Sequence, residues 1–282
     1  MKSNRPARPR FEGEAQATHT QTPNQIYGVN PIVEALRAAT RPLERIMIAT
    51  GAHDHRFNEI YDLAKERDVP VRRVAREELD RMMRIGGSHT ATNHQGIIAI
   101  IAAARYADAD ALLDSLTAKI EAGETPLVVV LDEIEDPRNL GAIVRTAECA
   151  GVDAVFIPER RAAGLTETVA KAAAGALEYV AIARVTNIAD LIEELKRRGV
   201  WTVATDEAAR ADYTSFDWRI PVAIVLGNEG DGVRRLVRER CDASVRLPLR
   251  GHIESLNVSV AAGIVMYEIL RQRTQGEAKA YK

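Results

Sequence analysis

Cysteine and long apolar runs are scarce in this chain, and each shortage excludes a class of protein. Two of the 282 residues are cysteines, Cys149 and Cys241, and their spacing matches neither a disulfide framework nor a CxxC motif, so we expect free thiols in a reducing compartment. The longest apolar runs, such as residues 97–104, are far shorter than the roughly 18 residues that suggest a membrane span. No apolar segment follows the basic residues near the N-terminus, so we expect no secretory signal and a cytoplasmic location.

A surplus of positive charge is also missing. The chain has 38 lysines and arginines against 40 aspartates and glutamates, a net charge of −2 that would ordinarily count against a nucleic-acid partner. The charge is unevenly distributed, however, because residues 1–24 hold four basic and two acidic residues whereas residues 105–124 hold two basic and five acidic ones. The net charge therefore does not exclude an RNA partner.

Length and composition predict two ordered domains. The chain of 282 residues is about twice the roughly 150 residues typical of one domain, and 46% of its residues are hydrophobic. Residues 1–24 have too few apolar side chains to fold and are expected to be a flexible tail. Residues 25–104 alternate between helical and extended patterns and form a small α/β domain. Residues 105–124 are predicted to be an acidic linker with one helical stretch, and residues 125–282 to be the larger domain.

The larger domain has the rhythm of strand and helix in alternation, which indicates βαβ units and a mostly parallel sheet whose ligands bind at the carboxyl ends of the strands. Six strands are predicted there, at residues 127–131, 153–157, 180–183, 200–204, 222–226 and 243–247. Five helices are predicted between and after them, at residues 140–150, 167–174, 188–198, 233–239 and 255–271.

The loop after the first of these strands carries two polar residues of interest. Asn139 lies at the start of the predicted helix and is a good N-cap, and Arg145 follows less than two turns along. Taken alone, this pattern favours a structural role, in which Asn139 caps the helix and Arg145 pairs with Glu148 or another carboxylate.

Two later loops are rich in glycine or small polar residues. Three glycines between residues 227 and 232 would let the backbone approach a ligand, although the spacing is neither a P-loop nor GxGxxG and a tight turn explains it as well. Ser255 and Asn257 stand where an apolar helix enters the core, which favours a functional role because buried polar groups are costly unless hydrogen-bonded. His252 and Glu254 lack any recognised metal-ligand spacing, so we expect a solvated loop and no metal there.

Three sequence segments, taken together and in their order along the chain, indicate a protein family more specifically than any one of them does. NLGAIVRTA at 139–147, LGNEGDG at 226–232 and LPLRGHIESLNVSVA at 247–261 resemble the three motifs of the SpoU class of SPOUT RNA ribose 2′-O-methyltransferases. The match extends to Lys171 with Gly175-Ala176 and to the turn at 185–187. The upstream domain, ending in His94-Gln95-Gly96-Ile97, resembles the substrate-binding domain of the 23S rRNA guanosine-2′-O-methyltransferase (TrmH) branch.

This resemblance implies an L30e-like N-terminal α/β domain followed by an α/β-knot domain with a mostly parallel sheet and a C-terminal trefoil knot. It also implies that S-adenosyl-L-methionine is the cofactor, held by the second and third motif loops largely through backbone groups. Glu229 would help to shape the second of these loops. The positions that match cofactor-binding ones are Gly227, Leu247, Leu256, Asn228, Gly230 and, on the adenosine side, Thr205.

The implied reaction is attack of a ribose 2′-hydroxyl on the methyl carbon of the cofactor, without a metal. Arg145 matches the catalytic arginine of the family, and because a guanidinium almost never loses its proton we expect it to hold the target phosphate and polarise the hydroxyl. The other polar positions that match are expected to orient Arg145 and the ribose, and they are Asn139, Glu229, Ser255 and Asn257. In this family the site is completed across a homodimer, through the last helix packed near the first-motif helix.

We therefore expect an enzyme that methylates a guanosine of 23S rRNA, as free rRNA or in a large-subunit assembly intermediate. One alternative is a related ribose methylase that acts on tRNA or confers antibiotic resistance through rRNA. Another is a non-catalytic ribosome-assembly factor that keeps the fold, although the intact Arg145, Glu229, Ser255 and Asn257 argue against it. A nucleotide-binding enzyme unrelated to RNA would explain the glycine loop but not the ordered set of motifs.

Overall fold

The computed structural model describes residues 25–85, 94–102, 104–228, 230–252 and 255–275, with the side chains of Arg84 and Ile85 left out. The predicted tail at residues 1–24 lies outside the described residues, and so do Glu229 and Glu254. No helix within the described ranges is long and apolar enough to cross a membrane.

The N-terminal unit, residues 25–102, is built on a four-stranded sheet in the order β1-β4-β2-β3. The strands are β1 (Gln25–Tyr27), β2 (Leu43–Ala49), β3 (Val71–Val74) and β4 (Ile97–Ile101). β4 is antiparallel to β1 and β2, whereas β2 and β3 are parallel.

Helices cover both faces of this sheet, which is why β4 has the continuously apolar sequence IIAII. Alternate residues such as Ile97 and Ala99 pack with α1 (Val29–Ala38) and α2 (Phe57–Glu66), and Ile98 and Ile100 pack with α3 (Arg76–Ile85). Because successive side chains of a strand point to opposite faces of the sheet, these residues belong to two separate hydrophobic clusters.

The C-terminal unit, residues 104–275, contains a seven-stranded sheet in the order β7-β6-β5-β10-β8-β11-β9, with every neighbouring pair parallel. The strands are β5 (Leu127–Asp132), β6 (Ala154–Pro158), β7 (Ile182–Val185), β8 (Trp201–Thr205), β9 (Ala211–Asp212), β10 (Val222–Gly227) and β11 (Ala243–Arg246). The predicted α/β class and mostly parallel sheet are confirmed, and β9 is a short edge strand that the sequence did not indicate.

Two layers of helices enclose this sheet. One face packs against α5 (Pro137–Cys149), α6 (Glu167–Ala173) and α9 (Val258–Thr274). The other face packs against α4 (Ala109–Glu121), α7 (Ile188–Arg197) and α8 (Arg235–Arg240). The predicted helices and strands are found within a few residues of their expected bounds. The knot that the resemblance implies stays a prediction.

The segment at residues 105–124 is not the linker that its acidic composition suggested. Leu113 and Leu116 of α4 are buried in the core together with residues of β5 and β6. Before the helix, Ala107 N–H donates to the Ile182 carbonyl at 2.8 Å and forms a parallel bridge with Ala183. The acidic side chains lie on the solvent face of α4, and this is why composition alone was misleading.

Contact between the two units centres on a buried carboxylate. Glu178, in a 3-10 turn at Ala176–Glu178, accepts hydrogen bonds from Thr40 Oγ1 at 2.6 Å and from Arg41 Nε at 3.1 Å, and forms a further close contact with Arg41 Nη2. Arg41 also donates to the Ala102 carbonyl at 3.1 Å. A turn of the N-terminal unit is therefore tied to the C-terminal unit by fully partnered charges.

Candidate active site

A cavity of about 310 Å³ opens at the carboxyl ends of β8, β10 and β11. Ligands of parallel α/β sheets characteristically bind at this edge, because successive βα loops meet there. The loop after each of the three strands contributes to the wall, and so does the first turn of α9. Six residues singled out by the family resemblance come together in this wall, namely Thr205, Gly227, Asn228, Gly230, Leu247 and Leu256.

The floor of the cavity is a turn so tight that Gly227 has no room for a side chain. A Cβ on Gly227 would lie 1.9 Å from the carbonyl carbon of Gly232. Asn228 closes the turn, since its Oδ1 accepts hydrogen bonds from the N–H groups of Gly230 at 2.9 Å and Asp231 at 2.7 Å. The loop therefore keeps its shape through its own hydrogen bonds, leaving backbone groups to face a ligand.

The rest of the cavity wall has an apolar part and a charged part. Leu226, Leu247 and Leu256 line it with apolar surface, and Thr205 on β8 donates through Oγ1 to the Val225 carbonyl at 3.3 Å. Asp206 and Glu207 face the cavity from the loop after β8. The Asp206 carboxylate pairs with the Arg238 guanidinium at 3.3 Å. The wall therefore suits a ligand with a flat apolar part and polar or cationic groups.

A pair of asparagines connects this cavity to the first motif. Asn257 is the N-cap of α9, and its Oδ1 accepts from the Ser259 N–H at 2.9 Å, while its Nδ2 donates to Asn139 Oδ1 at 3.0 Å. Asn139 is buried, and Ser255, two residues before Asn257, lines the cavity. The structure thus brings together Asn139, Ser255 and Asn257.

Asn139 does not cap its own helix, contrary to our expectation. The N-cap of α5 is Asp136, whose Oδ1 accepts from the Arg138 N–H at 2.7 Å. Asn139 lies inside the first turn, where its side chain is turned to Asn257 instead. The Asp-Pro pair at residues 136–137 was the signal for the true cap, because proline favours the first position of a helix.

Arg145 lies apart from this group. It is exposed on α5, it is not among the described residues that line the cavity, and within the described ranges it makes no hydrogen bond or ion pair. The pairing with Glu148 that we considered is not formed. Glu229, the remaining polar residue of the predicted site, lies outside the described residues.

Lys171 and Gly175, which the resemblance also covers, lie at the contact between the two units. Lys171 Nζ is 4.8 Å from the centroid of the Tyr27 ring, and a Cβ on Gly175 would lie 2.7 Å from the Cβ of Glu34. Burial and the charge of Glu167 raise the pKa of Tyr27 to about 12, so its hydroxyl stays protonated at neutral pH. These matched positions therefore support packing between the units.

One residue that supports the site was missed from the sequence. Asp132 ends β5, is fully buried and lies opposite Gly227 in the sheet register. Its carboxylate accepts hydrogen bonds from Arg234 N–H at 3.0 Å and Arg234 Nε at 2.9 Å, which raises the pKa of Arg234. The signal in the sequence was a charged residue at the end of a wholly apolar strand. Asp132 anchors the end of the loop that forms the cavity floor.

Across the part of the chain that the structure describes, no three histidine, cysteine, aspartate or glutamate side chains are grouped so that they could hold a metal ion.

Comparison with known protein families gives two matches that together span most of the chain. Residues 126–267 match the model of the SpoU rRNA Methylase family. Residues 25–107 match a model described as RNA 2′-O ribose methyltransferase substrate binding. The boundary between the two models falls close to the start of the C-terminal unit.

Individual proteins give the same result. YacO of Bacillus subtilis, whose name places it in the TrmH family of tRNA/rRNA methyltransferases, is 42% identical over 254 residues, covering 90% of this chain and 98% of that protein. A crystal structure titled RNA 2′-O ribose methyltransferase superimposes with a TM-score of 0.71 at 26% identity, covering 90% of both chains. An AdoMet-bound rRNA methyltransferase from Sinorhizobium meliloti superimposes with a TM-score of 0.69 at 25% identity, covering 88% of this chain and 87% of its own.

Proposed function

Because the chain belongs to the SpoU rRNA methylase family and is an RNA methyltransferase, we propose that it methylates a ribose 2′-hydroxyl of RNA with S-adenosylmethionine as the methyl donor. The observation that carries this proposal is the cavity at the carboxyl edge of the sheet, where the residues of the second and third motifs form one wall. The further proposal is that the target is a guanosine of 23S rRNA.

The cavity has the character that S-adenosylmethionine requires. Its volume of about 310 Å³ is at the lower end of the range for small-molecule sites. Leu226, Leu247 and Leu256 offer apolar surface to an adenine ring, and the missing side chain at Gly227 lets backbone groups approach the ligand. Glu207 suits its cationic groups. When bound, the cofactor supplies an electrophilic methyl group.

The protein's own part in the reaction is to hold the RNA and its hydroxyl. Arg145 carries a permanent charge, and we assign it to the phosphate next to the target ribose, where it also polarises the 2′-hydroxyl. Asn139 and Asn257 join the start of α5 to the cap of α9, which fixes the helix bearing Arg145 relative to the cavity mouth. Positioning of this kind accounts for a large share of catalysis in displacement reactions.

The exposed position of Arg145 supports a homodimer in which each cavity is completed by the partner. Val260 and Tyr267 of α9 are about half exposed, at 50% and 49%, and lie on the same side of that helix. α9 packs against α5, the helix that carries Arg145, so both helices contribute to one surface. A second copy that covers this surface would bury the apolar side chains and bring a partner arginine near each cavity.

Support for rRNA as the substrate comes from the relatives. The Sinorhizobium meliloti neighbour is titled an rRNA methyltransferase, and residues 25–107 match a substrate-binding model for ribose methyltransferases. YacO is named for tRNA and rRNA together, so tRNA is the main competing substrate.

The decisive experiment supplies labelled S-adenosylmethionine together with rRNA or tRNA from a strain that lacks the endogenous methylase. The modified nucleotide is then mapped by nuclease digestion and mass spectrometry. We expect label on the 2′-oxygen of one guanosine in 23S rRNA. Label in tRNA alone would overturn the proposed target but keep the reaction, and label on a base or in neither RNA would overturn the proposed reaction.

A further inference from the structure

A second cleft, of about 440 Å³, lies in the N-terminal unit and is distinct from the cavity described above. It opens beyond the carboxyl ends of β2 and β3, the parallel pair that α2 connects. Ligands of such βαβ units bind at this edge of the sheet. The polar side chains that face the cleft come from the loop after β2, from α2 and from β3, and they are His53, Asp54, His55, Asn58, Tyr61 and Arg73.

Arg73 and Tyr61 form a preorganised pair at the side of this cleft. The Arg73 Nε donates to Tyr61 OH at 2.8 Å, and its Nη1 donates to the Ala49 carbonyl at 3.3 Å. The guanidinium carbon lies 5.8 Å from the centroid of the Tyr61 ring. Because both side chains are held in place while Arg73 remains exposed, they offer a flat surface and a fixed positive charge to a ligand.

The charge of the cleft favours an anionic ligand. Its one carboxylate, Asp54, already accepts the Arg56 N–H at 2.9 Å and pairs with Arg56 Nε at 3.5 Å and with His55 Nδ1 at 3.4 Å. The groups left for a ligand are the Arg73 guanidinium, the imidazoles of the loop and the exposed amide of Asn58. This set can contact a phosphate, stack on a base and bond to the edge of the base.

Contacts with the rest of the same chain are made by other residues of the N-terminal unit. Tyr179 OH donates to Glu34 Oε2 on α1 at 2.7 Å, and Glu178 is bonded to Thr40 and Arg41 beyond the end of that helix. The residues that make these contacts are not among those that line the cleft, which lies next to the edge strand β3. The cleft lining is therefore not used by these contacts when the two units are packed together.

We propose that this cleft binds one unpaired nucleotide of the RNA substrate, with the base against Tyr61 and Arg73 and a phosphate at Arg73 and the histidine loop. This inference rests on the proposed function, because it assigns part of the RNA-binding surface of the same enzyme. It makes the cleft a recognition subsite away from the reacting atoms, so it affects RNA affinity and not the chemical step.

The test compares two arginines of one sheet in the full-length protein. Arg73→Ala should raise the KM for unmodified 23S rRNA about tenfold, which is within the range for loss of one stacked base, and should leave kcat and the KM for S-adenosylmethionine within about twofold. The matched control is Arg45→Ala, which removes an equally exposed charge near the other end of β2 and should change the KM for RNA less than about twofold. Tyr61→Phe keeps the ring but loses the hydrogen bond from Arg73, so it should bind RNA more tightly than Tyr61→Leu, which should bind like Arg73→Ala.

Binding measurements separate this inference from the proposed reaction. The Kd for 23S rRNA and for tRNA is measured without cofactor as a function of salt, and Arg73→Ala should lower the slope of log K against log salt by about 0.7, as for one single-strand phosphate contact. Ultraviolet crosslinking of the wild-type protein to 23S rRNA should mark a peptide that contains residues 53–61 or 71–74. This second measurement needs no variant, so it stands even if a substitution impairs folding.

Several results would overturn the subsite. Equal losses in Arg73→Ala and Arg45→Ala would indicate general electrostatic attraction, and crosslinks confined to other peptides would exclude the cleft. Unchanged affinity for free RNA with lost methylation of ribosomal particles would point to a ribosomal protein as the occupant and would also refute the proposal. If the wild-type protein binds RNA through the cleft but methylates none, the proposed reaction fails and the subsite stands.

Discussion

Arg145 combines a permanent charge with an exposed position on a helix that is firmly held. Within the described part of the chain, no carboxylate pairs with its guanidinium. Its helix is fixed at one end by the bond between Asn139 and Asn257 and along its length by packing against α9. A guanidinium that is positioned but not neutralised suits phosphate recognition better than structural support.

Replacing Arg145 with alanine should abolish methyl transfer and leave cofactor binding intact, because the side chain lies outside the cavity wall. Methyl transfer is measured with labelled S-adenosylmethionine and rRNA, and cofactor affinity by calorimetry. Arg138→Ala, an exposed arginine on the first turn of the same helix, is the control and should retain most of the activity. Normal turnover by Arg145→Ala would show that the assigned arginine is the wrong one.

At Gly227 the cavity requires a residue without a side chain. Gly227→Ala should lose cofactor binding, since its Cβ would lie 1.9 Å from the backbone of Gly232 and would force the cavity floor apart. Calorimetric titration with the cofactor tests this, with circular dichroism as the check on folding. Gly164→Ala is the control, because its nearest neighbour would be at 3.5 Å and it should bind like the wild type. A folded Gly227→Ala protein with wild-type affinity would contradict this account.

Hydrogen bonds between distant side chains connect the helices, strands and loops that surround the cavity. Asp132 on β5 holds Arg234 at the end of the cavity loop, and Asn139 on α5 holds Asn257 at the start of α9. Each bond joins residues about a hundred or more positions apart, and in each the accepting side chain, Asp132 or Asn139, is buried. Such bonds are costly to leave incomplete, so they restrict the loops to one arrangement.

The ion pair between Glu178 and Arg41 likewise holds the two units in one arrangement. Glu178→Ala should lower the free energy of unfolding by about 3–5 kcal/mol, because it leaves the Arg41 guanidinium in a largely buried site without its carboxylate. Urea denaturation measures the loss. Asp217→Ala breaks the exposed ion pair with Arg219 and should cost less than about 1 kcal/mol. Similar small losses in both variants would mean that the contact between the units contributes little.

At the scale of the whole molecule, Arg145 is exposed and lies outside the wall of the cavity. The cavity opens at the carboxyl edge of the seven-stranded sheet, whereas Arg145 and the exposed side chains of α9 lie on a helical face. The proposed symmetric dimer would resolve this separation, since a two-fold axis would present the helical face of each copy to the other.

Mixing two inactive variants tests the dimer directly. Arg145→Ala keeps a working cavity, and Leu256→Arg blocks the cavity but keeps the arginine, so a mixed dimer holds one complete site if the arginine acts across the interface. An equal mixture after subunit exchange should regain about a quarter of wild-type activity, given random pairing. Light scattering should give the mass of a dimer. A monomer in solution, or no activity in the mixture, would show that the site is not shared.

The amino-acid sequence alone determined the positions of most helices and strands and six of the residues that line the cavity. Apolar runs such as Leu127–Asp132 and amphipathic helices such as Ile188–Arg197 depend on local periodicity, which is why their bounds were predictable. Gly227, Asn228 and Leu247 were found through motifs, and these motifs also predicted the family. Local patterns carry this information because neighbouring residues share one backbone conformation.

Only the tertiary structure decided which of these residues meet. The strand order places β10 between β5 and β8, and that order brings Asp132 opposite Gly227 and within reach of Arg234, 102 positions along the chain. It also packs α4 onto the sheet where composition suggested a linker, and it leaves Arg145 outside the cavity. These outcomes depend on burial and hydrogen bonding between distant segments, which no local pattern in the sequence encodes.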